Sequence, residues 1–250
     1  MRRNAWRYPE ASERELSRSI RKAVRDLVVH LRSQTRAMKF DATDAEISAA
    51  EEEASRFVQT LISVLIGSLP AIGLAVYRFN SRQWARVAKA SGGGKNPAVL
   101  LLIAGDANQG EEWFQRLYGE WYTMSAQSIA KLFSNIVADW SSKVRQANFT
   151  GKKSKQVNEI AEQRFKVYSH WADNRAVGMV GSWNSRLMRQ RLQDAKVTHY
   201  FWRGILDERE RPEHVSWEGK RISINSTHPF PGEPYGCRCW AEPDFNKKGE

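Results

Sequence analysis

Three side chains able to hold a metal or move a proton lie close together near the C-terminus: His214, Cys237 and Cys239. They belong to a stretch, Thr198 to Pro243, that contains both cysteines of the chain and three of its five histidines. Thiolate sulfur and imidazole nitrogen are ligands that zinc takes readily, and Asp207 or His228 offers a fourth. The Cys-x-Cys spacing is tighter than the two to four intervening residues common in paired zinc ligands. His214 with Asp207 also has the makings of an acid/base pair, and Cys237 or Cys239 of a nucleophile. A metal held by His214 could serve phosphodiester hydrolysis. The plainer reading is a polar network. In it Asp207 accepts hydrogen bonds from Arg209, Arg211 or loop amides, and His214 ties its loop to the cysteine segment. Nothing else in the sequence supplies a recognisable substrate pocket, so the structural reading is preferred to an enzyme.

The elements that must position these residues are short. Tyr200 to Leu206 is aromatic and β-branched enough for a strand. Asp207 to His214, charged and containing Pro212, reads as a loop or short turn. Glu218-Gly219 marks a turn, Arg221 to Ile224 alternates as a short strand, and Cys237 to Ala241 reads as the last strand. Residues two apart in a strand share a face. Cys237 and Cys239 are therefore expected to point one way and Arg238 the other.

This pattern resembles the Mu F-like minor head protein family of tailed phages, the head-morphogenesis proteins. The resemblance lies in the aromatic strand, then Asp207-x-Arg209-x-Arg211-x-x-His214, then Gly219 beside a basic residue, then Gly236-Cys237-x-Cys239 ahead of a proline. It covers the last ~50 residues. Family members commonly carry a run like Arg-Thr-Glu in the preceding helix, where this chain has Tyr168 to Arg175. The resemblance implies a non-enzymatic protein of the virion, present in few copies near the portal vertex and in the host cytoplasm during assembly. Its implied partners are the portal, capsid and scaffold proteins, with packaged double-stranded DNA as a further contact. The alternative is a metal-dependent nuclease or toxin-like enzyme using His214, Cys237 and Cys239.

The rest of the chain must carry this unit. The 250 residues have a net charge of +11, which favours a polyanionic partner. Ten tryptophans suit a packed core or a protein interface better than base stacking. Two cysteines one residue apart form no disulfide framework, and a reducing compartment is their natural setting. The first residues lack the apolar run of a secretory signal.

From Ser12 to Arg36, apolar residues recur at helical spacing. The opposite face carries Arg18, Arg21, Lys22, Arg25 and Arg32, the candidate DNA contacts. Thr43-x-x-Glu46 reads as a capping box opening a helix. Twenty-one uncharged residues, Phe57 to Tyr77, are long enough to span a bilayer, but Gln59, Thr60, Ser63 and Pro70 argue for a buried helix ending near Pro70 and a second short helix after it. A membrane role is therefore not expected. Ser91 to Pro97 reads as a flexible loop and Glu111 to Gln146 as a long helix. Two more helices, Ser154 to about His170 and Trp171 to about Asp194, complete the helical part. The expected fold class is α+β: a mainly helical N-terminal region, 1–149, then a C-terminal domain, 150–250, of two helices and a small β unit.

Overall fold

The computed structural model describes residues 6–37, 42–105, 110–149, 157 and 159–245. The fold is α+β, with helices through most of the chain and a small sheet near the C-terminus. The elements in order are α1 (Glu10–Ala37), α2 (Asp44–Ala90), a 3₁₀ turn (Gly93–Lys95), α3 (Pro97–Ala104), α4 (Phe114–Phe149), α5 (Ile160–Asp194), β1 (His199–Arg203), α6 (Pro212–Trp217), β2 (Arg221–Ser223) and β3 (Trp240–Pro243). The chain forms two compact units, each discontinuous in sequence. One takes residues 1–13, 71–121 and 177–250, the other 14–70 and 122–176.

The second of these is purely helical among the described residues. Leu16, Ile20, Leu27 and Leu31 are fully buried, as their spacing predicts. The capping box forms: the Glu46 carboxylate accepts from the Thr43 N–H at 2.7 Å, and the Thr43 hydroxyl accepts from the Glu46 N–H at 3.3 Å. Trp140, fully buried, donates its indole N–H to Thr35 Oγ1 at 3.1 Å. Asp139 gathers Arg164 at 2.9 and 3.0 Å and the Tyr168 hydroxyl at 2.7 Å.

Helix α2 does not end at Pro70, as the sequence suggests. It runs 47 residues with Pro70 inside. Along it Val58, Ile62, Leu65, Leu69, Ile72 and Val76 are buried at alternating spacings of four and three. Burying one such side chain contributes about 1.5–3 kcal/mol. Two or three of them offset the roughly 3 kcal/mol that an interior proline costs. By length and composition alone α2 is the one described helix able to cross a membrane. Its burial is confined to one stripe, and Val64 on the other side is exposed, which is the pattern of a packed amphipathic helix. The expected break at His170 and Trp171 is also absent: α5 is one helix of 35 residues. Neither residue is a helix breaker, and nothing within the span interrupts it.

The other unit builds the site. Trp121 and Trp183 stack at 5.4 Å beside Phe114 and Tyr118. The indole of Trp183 donates to the Gly73 carbonyl at 2.9 Å and that of Trp121 to the Met179 carbonyl at 3.0 Å. The supposed flexible loop at Ser91 is a short turn and the 3₁₀ segment. Asn96 then caps α3, accepting from the Ala98 N–H at 3.0 Å and donating to the Ala195 carbonyl at 2.9 Å. The sheet is antiparallel, ordered β2-β1-β3, with Tyr200 opposite Ile222 and Trp202 opposite Ala241. Alternation along β1 buries Tyr200 and Trp202. They join Trp84, Val99, Met188, Leu192, Phe230 and Trp240 in one apolar core that also takes in both cysteines.

Candidate functional site

The site forms where three short segments meet over Trp202. The first is α6. Pro212 opens it at a position where its missing N–H costs nothing. This corrects the loop expected up to His214, because the helix continues through His214 to Trp217. His214 and Trp217, three apart, lie on one side of the helix. Their rings stack at 5.2 Å, and Trp202 meets His214 edge-on at 5.3 Å. His214 is thereby held in one orientation and is 4% exposed.

The second segment carries the cysteines. It is not a strand, as the alternation suggests, since β3 starts only at Trp240. The Pro234 carbonyl accepts the Cys237 N–H at 2.8 Å, and Gly236 sits at φ +68°, left-handed backbone that glycine adopts freely. This turn delivers both thiols to the same place. Cys237 Sγ and Cys239 Sγ each lie 3.5 Å from His214 Nδ1. All three residues are buried, and their donor atoms lie within 4.8 Å of one another. Both cysteines are free thiols.

The third segment joins β1 to α6. Asp207 pairs with Arg238, the residue between the cysteines, at 2.6 and 2.8 Å. It also accepts the Arg209 N–H at 3.2 Å, while the Arg209 guanidinium stands off at 3.7 Å. Arg211 does not reach Asp207, contrary to the sequence reading; it donates to the Tyr235 carbonyl. Glu210 takes the Leu206 N–H and the Cys239 thiol, the latter at 3.2 Å. Its carboxylate lies so close to Gly204 that any β-carbon there would collide with it. Gly219, at φ +76°, turns the chain so that its N–H reaches the Trp202 carbonyl at 2.8 Å.

The electrostatics follow from these contacts. The guanidinium of Arg238 holds the Asp207 carboxyl below its ordinary value. Burial, then the charge of Arg211, lowers the His214 imidazole and keeps it neutral. A hydrogen bond with Cys239 brings Cys237 down to about 7, and the same contact, with burial, raises Cys239. The pair thus favours one shared proton.

His214, Cys237 and Cys239 are brought together as a donor set. The two other candidate ligands are not. Asp207 is engaged by Arg238, and His228 packs edge-on against Trp217 at 4.2 Å. The sequence reading missed Arg238, Glu210, Trp202 and Trp217 as parts of the site. Only Trp217 carried a local signal, its helical spacing from His214. The cavity lined by His214, both cysteines, Glu210 and Arg211 is small, about 70 Å³. A wider hollow of about 470 Å³, lined by His214, Trp217, His228 and Pro229, reaches neither thiol.

The candidate DNA contacts on α1 divide into two groups. Arg18, Arg21 and Lys22 are exposed, whereas Arg25 and Arg32 are half-buried. Arg25 is tied into the helical unit, bonding Glu162 at 2.7 Å and lying 3.4 Å over the Phe165 ring. No protein-family model, curated protein or solved structure matches the chain.

Proposed function

We propose that this chain is a structural, non-enzymatic protein of the tailed-phage head, acting in head morphogenesis at the portal vertex as a minor head protein. The observation that carries this reading is where the motif residues direct their polar groups. Asp207 closes on Arg238, Arg211 on the Tyr235 carbonyl, and His214 on the two thiols. Such a set holds a small β unit in shape, which a three-stranded sheet needs. A catalytic set keeps its reactive groups open to a substrate; the cavity that both thiols line, about 70 Å³, is too small for a nucleotide, and the wider hollow beside His214 reaches neither thiol. The net charge of +11 and the exposed Arg18, Arg21 and Lys22 favour contact with packaged double-stranded DNA. The portal, capsid and scaffold proteins are the partners, the virion the final location, and the host cytoplasm the place of assembly.

Co-expression with the portal, scaffold and major capsid proteins of its phage tests this. The chain is expected to sediment with the particles at low copy number, and only when the portal is present. A chain that stays at the top of the gradient in all combinations ends the proposal.

The convergence of His214, Cys237 and Cys239 favours one other reading, a metal-dependent nuclease, because three protein ligands leave a coordination position open. Cleavage of DNA by the purified chain, lost in His214→Ala, would replace the structural proposal with this one.

A further inference from the structure

We infer that His214, Cys237 and Cys239 hold one zinc ion, which clasps α6 to the turn ahead of β3. This goes beyond the head-protein reading and does not depend on it. Three observations carry it. The first is the equality of two distances. Both sulfurs sit 3.5 Å from His214 Nδ1. The Cys239 S–H is given to Glu210, so that sulfur is not held at the imidazole by a proton of its own, yet the three donor atoms converge on one point.

The second is the length of those edges. Zinc binds nitrogen at about 2.0–2.1 Å and sulfur at about 2.3 Å, so tetrahedral angles place the two donors roughly 3.5 Å apart. The third is positioning. Trp217 and Trp202 fix the imidazole plane from two sides, and the turn at Gly236 sets both thiols on the same point. These supports come from separate segments, so the donors converge through tertiary structure and not through local sequence.

Charge and proton balance are consistent with this. Two thiolates cancel the 2+ charge of the ion, so a neutral cluster is buried. Binding is ligand exchange without redox: two Zn–S bonds and one Zn–N bond form, and the proton that the two sulfurs share, with any still held by Cys237, leaves to solvent. Loss of the Cys239 proton also removes its hydrogen bond to Glu210. Glu210, which lines the same small cavity as the three donors, and water are at hand for a fourth position.

The chain has only two cysteines, so every thiol signal reports this site alone. The full chain, produced with zinc and desalted under reducing conditions, is assayed for metal by mass spectrometry and for thiols with a chromogenic disulfide. One zinc per chain is expected, with both thiols unreactive until a chelator is added and two thiols appearing per zinc released. Burial alone would protect thiols irrespective of the chelator, and that result overturns the inference. So does a chain that takes up no zinc on reconstitution. Cys237→Ser is expected to lose the zinc while the helical circular dichroism persists. Should that variant fail to fold, cobalt added to the unmodified chain gives an independent reading. Thiolate-to-cobalt charge-transfer absorption supports the site, and its absence overturns it. Neither readout depends on particle assembly, so either proposal can fail alone.

Discussion

One guanidinium nitrogen of Arg238 bridges both carboxylate oxygens of Asp207, at 2.6 and 2.8 Å, from the position between the two cysteines. The turn that sends Cys237 and Cys239 inward therefore sends Arg238 to the loop after β1. Asp207 has its carboxyl held down by that contact. Its stabilising effect is fully present above the ordinary aspartate value of about 3.9 and fades as pH falls below it through the lowered folded value. Asp207→Asn is expected to lower the melting temperature near neutral pH, with the gap to the unmodified chain closing below about pH 4. Melting curves over this range check it; a gap that does not change with pH would show that the ion pair contributes nothing.

Arg191 is buried in α5, at 2% exposure, against Asn80, Ser81 and Glu111. An arginine near a helix C-terminus ordinarily complements the dipole from the surface, but this side chain turns inward. Burial lowers its proton affinity, and Glu111 and Tyr77 partly restore it. Arg191→Met leaves Glu111 without this cation and is expected to cost about 3–5 kcal/mol. Adding Glu111→Gln should recover part of that loss. Urea unfolding of the single and double variants measures the coupling, and simple additivity would refute it.

Two glycines of α2 make opposite predictions. A β-carbon on Gly73 would lie 2.6 Å from Trp121 and 2.9 Å from Tyr118. Gly73→Ala is expected to destabilise by about 1–3 kcal/mol through overpacking. Gly67 is exposed with nothing within 4 Å of its would-be β-carbon. Gly67→Ala is expected to stabilise by about 0.5–1 kcal/mol. Chemical denaturation of both variants distinguishes crowding from backbone entropy, and matching signs would contradict the packing described.

The exposed cations of α1 predict a salt effect. If Arg18, Arg21 and Lys22 meet phosphates, their joint replacement by alanine should flatten the slope of log K against log salt by about 0.9 for each phosphate no longer neutralised. Arg25→Ala, by contrast, should act mainly on stability through Glu162 and Phe165. Duplex binding measured across a salt series separates them. An unchanged slope in the triple variant would remove this face from DNA binding.

Much of the helical fold was legible because apolar spacing acts locally. The periodicity of Leu16 to Leu31 and the Thr43–Glu46 box need no distant partner to be read. Pro70 misled because its cost is local while the burial that outweighs it is tertiary. In the site, the grouping of His214 with the cysteines could be anticipated from residue type. The turn that delivers them has the same alternation as a strand, since both arrangements put alternate residues on one side. Arg238 gave no sign of pairing with Asp207, 31 residues away, because only the folded loops bring them together. The Glu210 carboxylate against Gly204 is likewise seen only in the folded loop.

The discontinuous make-up of the site-bearing unit constrains how the protein can be made. Its parts come from residues 1–13, 71–121 and 177–250, and β3 is added only at Trp240–Pro243. During vectorial synthesis residues 14–70 and 122–176 therefore emerge before this unit has all its pieces. Helices can form early, but the sheet and the cysteine turn must close last, over long sequence separations that slow folding. A fragment cut at residue 150 lacks the α2 and α3 segments that lie beneath the sheet, Trp84 and Val99 among them. The sheet thus completes a core whose other side is laid down before residue 122.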